Sequence, residues 1–158
     1  MIKRVSSLLL SFGLGLAPLA SAENSLARFE GGIGSQPLRS GGLVNDVLGV
    51  NPGGRPWVIS RLSAEVKTDG RVSIDGRGLL LAGGNGIGTT GNQSVRARLF
   101  CGGVSSVSYD SELVPLDPAG DFRIEGELSA VPPSPCASPV LLIVNTGGAW
   151  FAAGIPKQ

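Results

Sequence analysis

The sequence predicts an all-β protein, an antiparallel β-sandwich of about seven to eight strands. Three observations carry this. Glycine occurs 25 times and proline 11 times in 158 residues, which disfavours long helices because one residue leaves the helical backbone too free and the other cannot complete its hydrogen bonding. Apolar residues make up 42% of the chain, more than a disordered segment carries. Short runs of strict apolar/polar alternation recur between turn-forming residues, the pattern of half-buried strands.

Residues 1–22 have the layout of a secretory signal peptide. Lys3 and Arg4 form a positive start, an apolar stretch runs from Leu8 to Leu19, and Ala20-Ser21-Ala22 offers small residues for a peptidase. Cleavage is expected between Ala22 and Glu23. It removes two basic residues and tips the formal charge from +1 to −1. Residues 23–158 are then one domain of ordinary size. Within it, 23–56 form a Gly-, Pro- and Ser-rich N-terminal segment that either wraps the domain or hangs free. Leu26 to Phe29 fits a short edge strand there. Leu43 to Leu48 fits one helical turn, ended by Asn51-Pro52-Gly53-Gly54.

The β-domain is expected over 57–158. From Trp57 to Lys67, Val58, Leu62, Ala64 and Val66 fall on one face. From Arg71 to Ala82, Val72, Ile74, Leu80 and Ala82 do the same. The connecting Thr68-Asp69-Gly70 predicts a three-residue loop with Gly70 left-handed. That loop sets Val66 opposite Val72 and Ala64 opposite Ile74, whereas a two-residue loop sets apolar residues against polar ones. Val95, Ala97, Leu99 and Cys101 alternate next. Glu112 to Leu116 reads as a strand, and Asp117-Pro118-Ala119-Gly120 as a turn. Phe122, Ile124 and Leu128 then point inward. Pro132-Pro133-Ser134-Pro135 is an extended connector. Val140 to Val144 is continuously apolar, as a strand covered on both faces must be. Ala149 to Ile155 is the last strand, after an Asn-Thr-Gly-Gly turn.

Cys101 and Cys136 are the two cysteines. An even count in an exported chain predicts one disulfide, and both residues border inward-facing strand sets. No lipid-anchoring cysteine follows the leader. The run Pro139 to Ile155 is broken by Asn145-Thr146-Gly147-Gly148, so no membrane span is expected in the mature chain.

The chain contains no histidine. That removes Ser-His-Asp triads, Cys-His pairs and histidine-ligated metals, and two cysteines do not make a four-cysteine zinc site. No cofactor or metal is expected. The basic residues are scattered singly, which argues against nucleic acid as a partner. Gly86-Ile87-Gly88-Thr89-Thr90-Gly91 matches a dinucleotide fingerprint in letters, with Asp110 as the acidic partner. The chemistry requires a helix to follow, and here an alternating strand follows.

Two candidate sites remain. Glu125 and Glu127, or Asp121 and Glu125, share a strand face and suit paired-carboxylate hydrolysis of glycosides, against a plain reading as a solvated face. Asp117 and Asp121 flank a turn but lack the spacing of a calcium loop. Trp57, Tyr109 and Trp150 are the candidate ligand-binding aromatics, since exposed rings stack on sugars or anchor partners. Trp150 and Phe151 are neighbours on a strand and point to opposite faces.

The motif Leu99-Phe100-Cys101-Gly102-Gly103, then Pro115-Leu116-Asp117, Gly120-Asp121-Phe122-Arg123-Ile124, and Pro135-Cys136 before Pro139-Val140-Leu141-Leu142-Ile143, resembles transthyretin-like (prealbumin-type) sandwich domains. With Phe29-Glu30-Gly31-Gly32-Ile33-Gly34 included, the whole chain also resembles a family of uncharacterised exported bacterial proteins. The resemblance implies an Ig-like or transthyretin-like sandwich and carries over no catalytic residue. The expected function is an exported, non-catalytic binding or structural protein, periplasmic or secreted, with a protein or glycan partner. The alternative is a carbohydrate-active module or carboxylate-dependent glycoside hydrolase.

Overall fold

The computed structural model describes residues 24–103 and 107–158, together with Gly13 and Gly15. The signal peptide and its Ala22–Glu23 cleavage point lie outside the described residues. The described chain is all-β. Its strands are β1 (Ser25–Gly34), β2 (Leu38–Arg39), β3 (Leu43–Val44), β4 (Trp57–Val58), β5 (Arg61–Lys67), β6 (Arg71–Arg77), β7 (Leu80–Leu81), β8 (Ser94–Phe100), β9 (Tyr109–Asp110), β10 (Val114–Pro115), β11 (Phe122–Glu127), β12 (Val140–Asn145) and β13 (Trp150–Pro156).

One antiparallel sheet runs β10-β8-β12-β13-β1-β5-β6-β11, and β9 also pairs with β8. The strand set expected of a sandwich is therefore bonded edge to edge as a single sheet, which curls. Backbone bonds tie its two edges together. Asp117 N–H donates to Asp121 O (3.0 Å) in the β10–β11 turn, and Ser129 N–H, just past β11, donates to Asp110 O of β9 (2.8 Å). The concave face encloses one core built from alternate residues of each strand. It contains Phe29, Leu62, Val66, Ile74, Val95, Leu99, Ile124, Leu141 and Ile143. Period-two alternation builds this core because successive side chains leave opposite faces of a pleated strand.

The β5–β6 hairpin has the register its sequence predicts. Val66 faces Val72 and Ala64 faces Ile74, with Gly70 at φ 89° and its N–H donating to Lys67 O (3.0 Å). Further along β6 the glycine matters for space. A Cβ on Gly76 would stand 2.1 Å from the Phe122 ring, which lies directly across from it on β11. β12 is buried on both faces, as its unbroken apolar run requires.

Several expectations are corrected. The strand expected at an edge over Leu26 to Phe29 is not at an edge. β1 spans ten residues and lies between β13 and β5 in the middle of the sheet. No helical turn forms over Leu43–Leu48. Leu43–Val44 pair with Leu38–Arg39, and Val47 and Val50 bond to each other across a tight turn. That turn needs left-handed backbone at Leu48 (φ 47°) and Gly49 (φ 80°), which ends any helix. It also seats Val47, Leu48 and Val50 on the outer face of β12 and β13, in a second cluster with Phe100, Leu142, Val144 and Trp150. The alternation also changes phase twice. Val58 is exposed while Trp57 is buried, and Leu79 and Leu81 are buried rather than Leu80 and Ala82. The slips fall at Ile59–Ser60 and at Gly78 (φ 64°), where the long runs break into β4–β5 and β6–β7. The strand expected over Glu112–Leu116 is the two-residue β10. β9, which also pairs with β8, continues the same edge on the other side of Ser111, whose buried hydroxyl accepts from Ala97 N–H (2.9 Å) and bridges the break.

Candidate functional site

Cys101, at the end of β8, and Cys136, in the connector before β12, form the expected disulfide with Cα atoms 4.9 Å apart. The pair is buried against the inner core.

The three candidate aromatics do not form an exposed patch. Trp57 is 3% exposed and stacks on Phe151 with ring centroids 3.9 Å apart. Trp150 is 4% exposed, sits in the outer cluster, and donates its indole N–H to Asn45 O (2.9 Å). Trp150 and Phe151 do face opposite sides, in the two different clusters. Tyr109 is half-buried against the inner core. Large rings give more by filling a core than by standing in water.

The carboxylates are spread over the outer surface among arginines. Glu125 accepts from Ser73 Oγ (2.8 Å), and Glu125 and Glu127 are both exposed on β11. Asp117 caps its own turn, accepting from Ala119 N–H and Asp121 N–H (both 2.9 Å). Asp121 accepts from Gly78 N–H (2.9 Å) and faces Arg77 (3.4 Å). Asp117 Oδ1 and both Asp121 carboxylate oxygens are thus engaged by backbone and arginine. No group of three potential metal ligands occurs among the described residues. The Gly86–Gly91 motif forms turns between β7 and β8, and β8 follows directly, so no helix N-terminus faces a phosphate there. Asp110 instead takes a two-pronged pair from Arg98.

Asp75 shows what the surface charges do. Arg77 meets it at 2.8 and 3.1 Å and Arg123 at 3.0 Å. Hydrogen bonds from Arg77 first, then Arg123, lower its pKa to about 2. Glu30 is lowered too, by Lys157, and Asp69 by the Arg71 backbone and side chain. A carboxyl held below its unfolded value stabilises the fold above that value and stops doing so as pH falls through the folded value. Stability should therefore drop modestly between about pH 4 and pH 2, since solvent screens these exposed pairs. Denaturation midpoints of the parent and Asp75→Asn at about pH 6, 4 and 2 check this. The parent should lose more than the variant, and equal losses would reject the role of Asp75.

A large cleft lies elsewhere, on the outer face where β8 and β12 leave the second cluster. It is open, about 530 Å³, and lined by Gly49, Val50 and Asn51 on one side and Asn145 to Ala149 on the other, over Arg96 and Arg98. The Val47–Val50 turn and the β12–β13 turn make its walls. Asn145 stiffens the second wall, its Oδ1 accepting from Ala149 N–H (2.9 Å) and its Nδ2 donating to Gln93 Oε1 (3.3 Å). Arg98 is locked to Asp110 through Nε (2.8 Å) and Nη2 (2.7 Å), and this pairing raises the guanidinium pKa further. Comparison with family models, curated proteins and solved structures finds no match for this chain.

The outward position of Arg96 and Arg98 is readable from the alternation of β8. Their place in a cleft is not, because both walls come from segments distant in sequence.

Proposed function

We propose that this protein is an exported, non-catalytic binding or structural β-domain of the bacterial envelope or extracellular space. Kinship with exported transthyretin-like domains is part of the same reading. A disulfide, and the lack of any helix among the described residues long and apolar enough to cross a membrane, fit an extracellular or periplasmic protein. The observation that carries the binding reading is the composition of the large cleft. It offers two arginines, two side-chain amides, a hydroxyl and glycine backbone, and no carboxylate or cysteine. Such a lining holds a polar ligand but gives acid–base hydrolysis no pair of carboxyls to work with. The carboxylates with shifted pKa values support it as well. Glu30, Glu65, Asp69 and Asp75 all move down, away from the raised values a general acid needs.

The test is export from a bacterial host followed by intact-mass measurement and assays on glycoside, ester and peptide substrates. The mature chain should begin at Glu23 and turn over none of them. Turnover abolished by Glu125→Gln with the fold intact would replace this proposal with the carboxylate hydrolase. A full-length chain retained in the membrane would overturn the exported location.

A further inference from the structure

We propose that the Arg96–Arg98 cleft is a binding site for a single oxyanion group, a carboxylate, phosphate or sulfate carried by the ligand. The proposal rests on the binding role above and names the chemistry of its site. Four observations converge on it.

Arg96, like Arg39, Arg55 and Arg61, makes no salt bridge among the described residues, whereas Arg28, Arg71, Arg77, Arg98 and Arg123 each make at least one. It also makes no side-chain hydrogen bond there, and its Nε is buried without a partner. A buried N–H donor without an acceptor is costly, and the rest of the Arg96 side chain is half-buried. Arg96 lies on the floor of the cleft, so an acceptor arriving from solvent can reach it.

Arg98 supplies the second donor group. Asp110 takes its Nε and Nη2. Its Nη1 lies on the side of Gly148, 3.6 Å from where a Cβ on that residue would be. The Asp110 pairing thus orients the Arg98 fork and leaves one nitrogen for the cleft.

No acidic side chain lines the cleft. Two guanidiniums with one carboxylate behind them leave it positive, in a chain whose overall charge is close to zero. Partly enclosed walls strengthen that field relative to open water. The walls also suit an anion, since Gly147, Gly148 and Gly49 let a ligand approach the backbone closely and Thr146 adds a hydroxyl. The planar, five-donor guanidinium matches carboxylate and phosphate oxygens in pairs, which makes arginine rather than lysine the fitting residue.

The test is a titration of the exported, disulfide-bonded protein, followed by amide and arginine Nε–H NMR. Sodium acetate, phosphate and sulfate are the probes, each balanced with chloride to constant ionic strength. Saturable shifts are expected at Arg96 Nε–H and in the amides of Gly49 and Thr146 to Gly148. Preference for acetate assigns a carboxylate ligand, and preference for phosphate or sulfate a tetrahedral one. Arg96→Gln should weaken binding by about tenfold or more, and Arg39→Gln, on β2, should leave it unchanged. Gly147→Asp is the second variant, placing a carboxylate on the exposed rim without touching the core, and it should compete with the probe. Non-saturable shifts with all three anions would overturn the proposal, as would equal affinity in the parent and both cleft variants. Either result leaves the absence of turnover, and with it the broader binding role, to be judged by the separate assays.

Discussion

Replacing Cys101 and Cys136 together by alanine should lower the unfolding free energy by about 3–4 kcal/mol. The bridge closes a loop with a sequence separation of 35, and the chain-entropy account of such a loop gives that magnitude because the cross-link restricts the unfolded chain. The location adds to the effect. The loop includes β9, β10 and β11, the strands that make both edges of the curled sheet. Without the bridge, the edge bonds from Ser129 to Asp110 are held by packing alone. Urea denaturation of the parent and the double variant measures the loss. Unfolding free energies agreeing within about 0.5 kcal/mol would show that the bridge contributes little beyond ordinary surface substitutions.

Phe29→Ala should cost a comparable amount, about 3–5 kcal/mol, the usual range for emptying a buried aromatic site. Phe29 is 1% exposed. It faces Ala64 on β5 and Pro156 on β13, and its ring lies against Gly154, where a Cβ would approach it at 3.0 Å. Strands on both sides prevent the site from collapsing around the lost ring, so most of the cavity term remains. This measurement also separates two placements of β1. An edge strand packed by one neighbour would lose about 1 kcal/mol, within the range of an ordinary substitution. A loss that small would contradict the central position of β1.

The contrast at Phe29 shows where reading the sequence stops. Alternation in Leu62–Val66, Val72–Ile74, Val95–Leu99 and Phe122–Ile124 determines which side chains face inward, because the pleat alone dictates it. The Thr68-Asp69-Gly70 loop determines the hairpin register, because a shift of one residue would turn the apolar set to water. The unbroken run Val140–Val144 determines a strand covered on both faces. The two cysteines, being alone, determine their own pairing. Each of these is a local pattern or a matter of counting.

Tertiary structure decided everything that depends on which segments meet. The segment 23–56 carries too much glycine to advertise a central strand, yet β1 gains its place through backbone bonds to β13 and β5, which lie far off in the chain. Trp57 and Trp150 are candidates for recognition by residue type, and the stacking on Phe151 and the covering Val47–Val50 turn put both indoors. The phase slips at Ile59–Ser60 and Gly78 come from the need to direct short strands around a curl, a global demand with no period of its own. The Arg96–Arg98 cleft exists for the same reason. Its floor comes from β8, its walls from residues 49–51 and 145–149, and no sequence window contains all three. Burial propensity is a property of a residue, but the partner that buries it, or leaves it open, is a property of the fold.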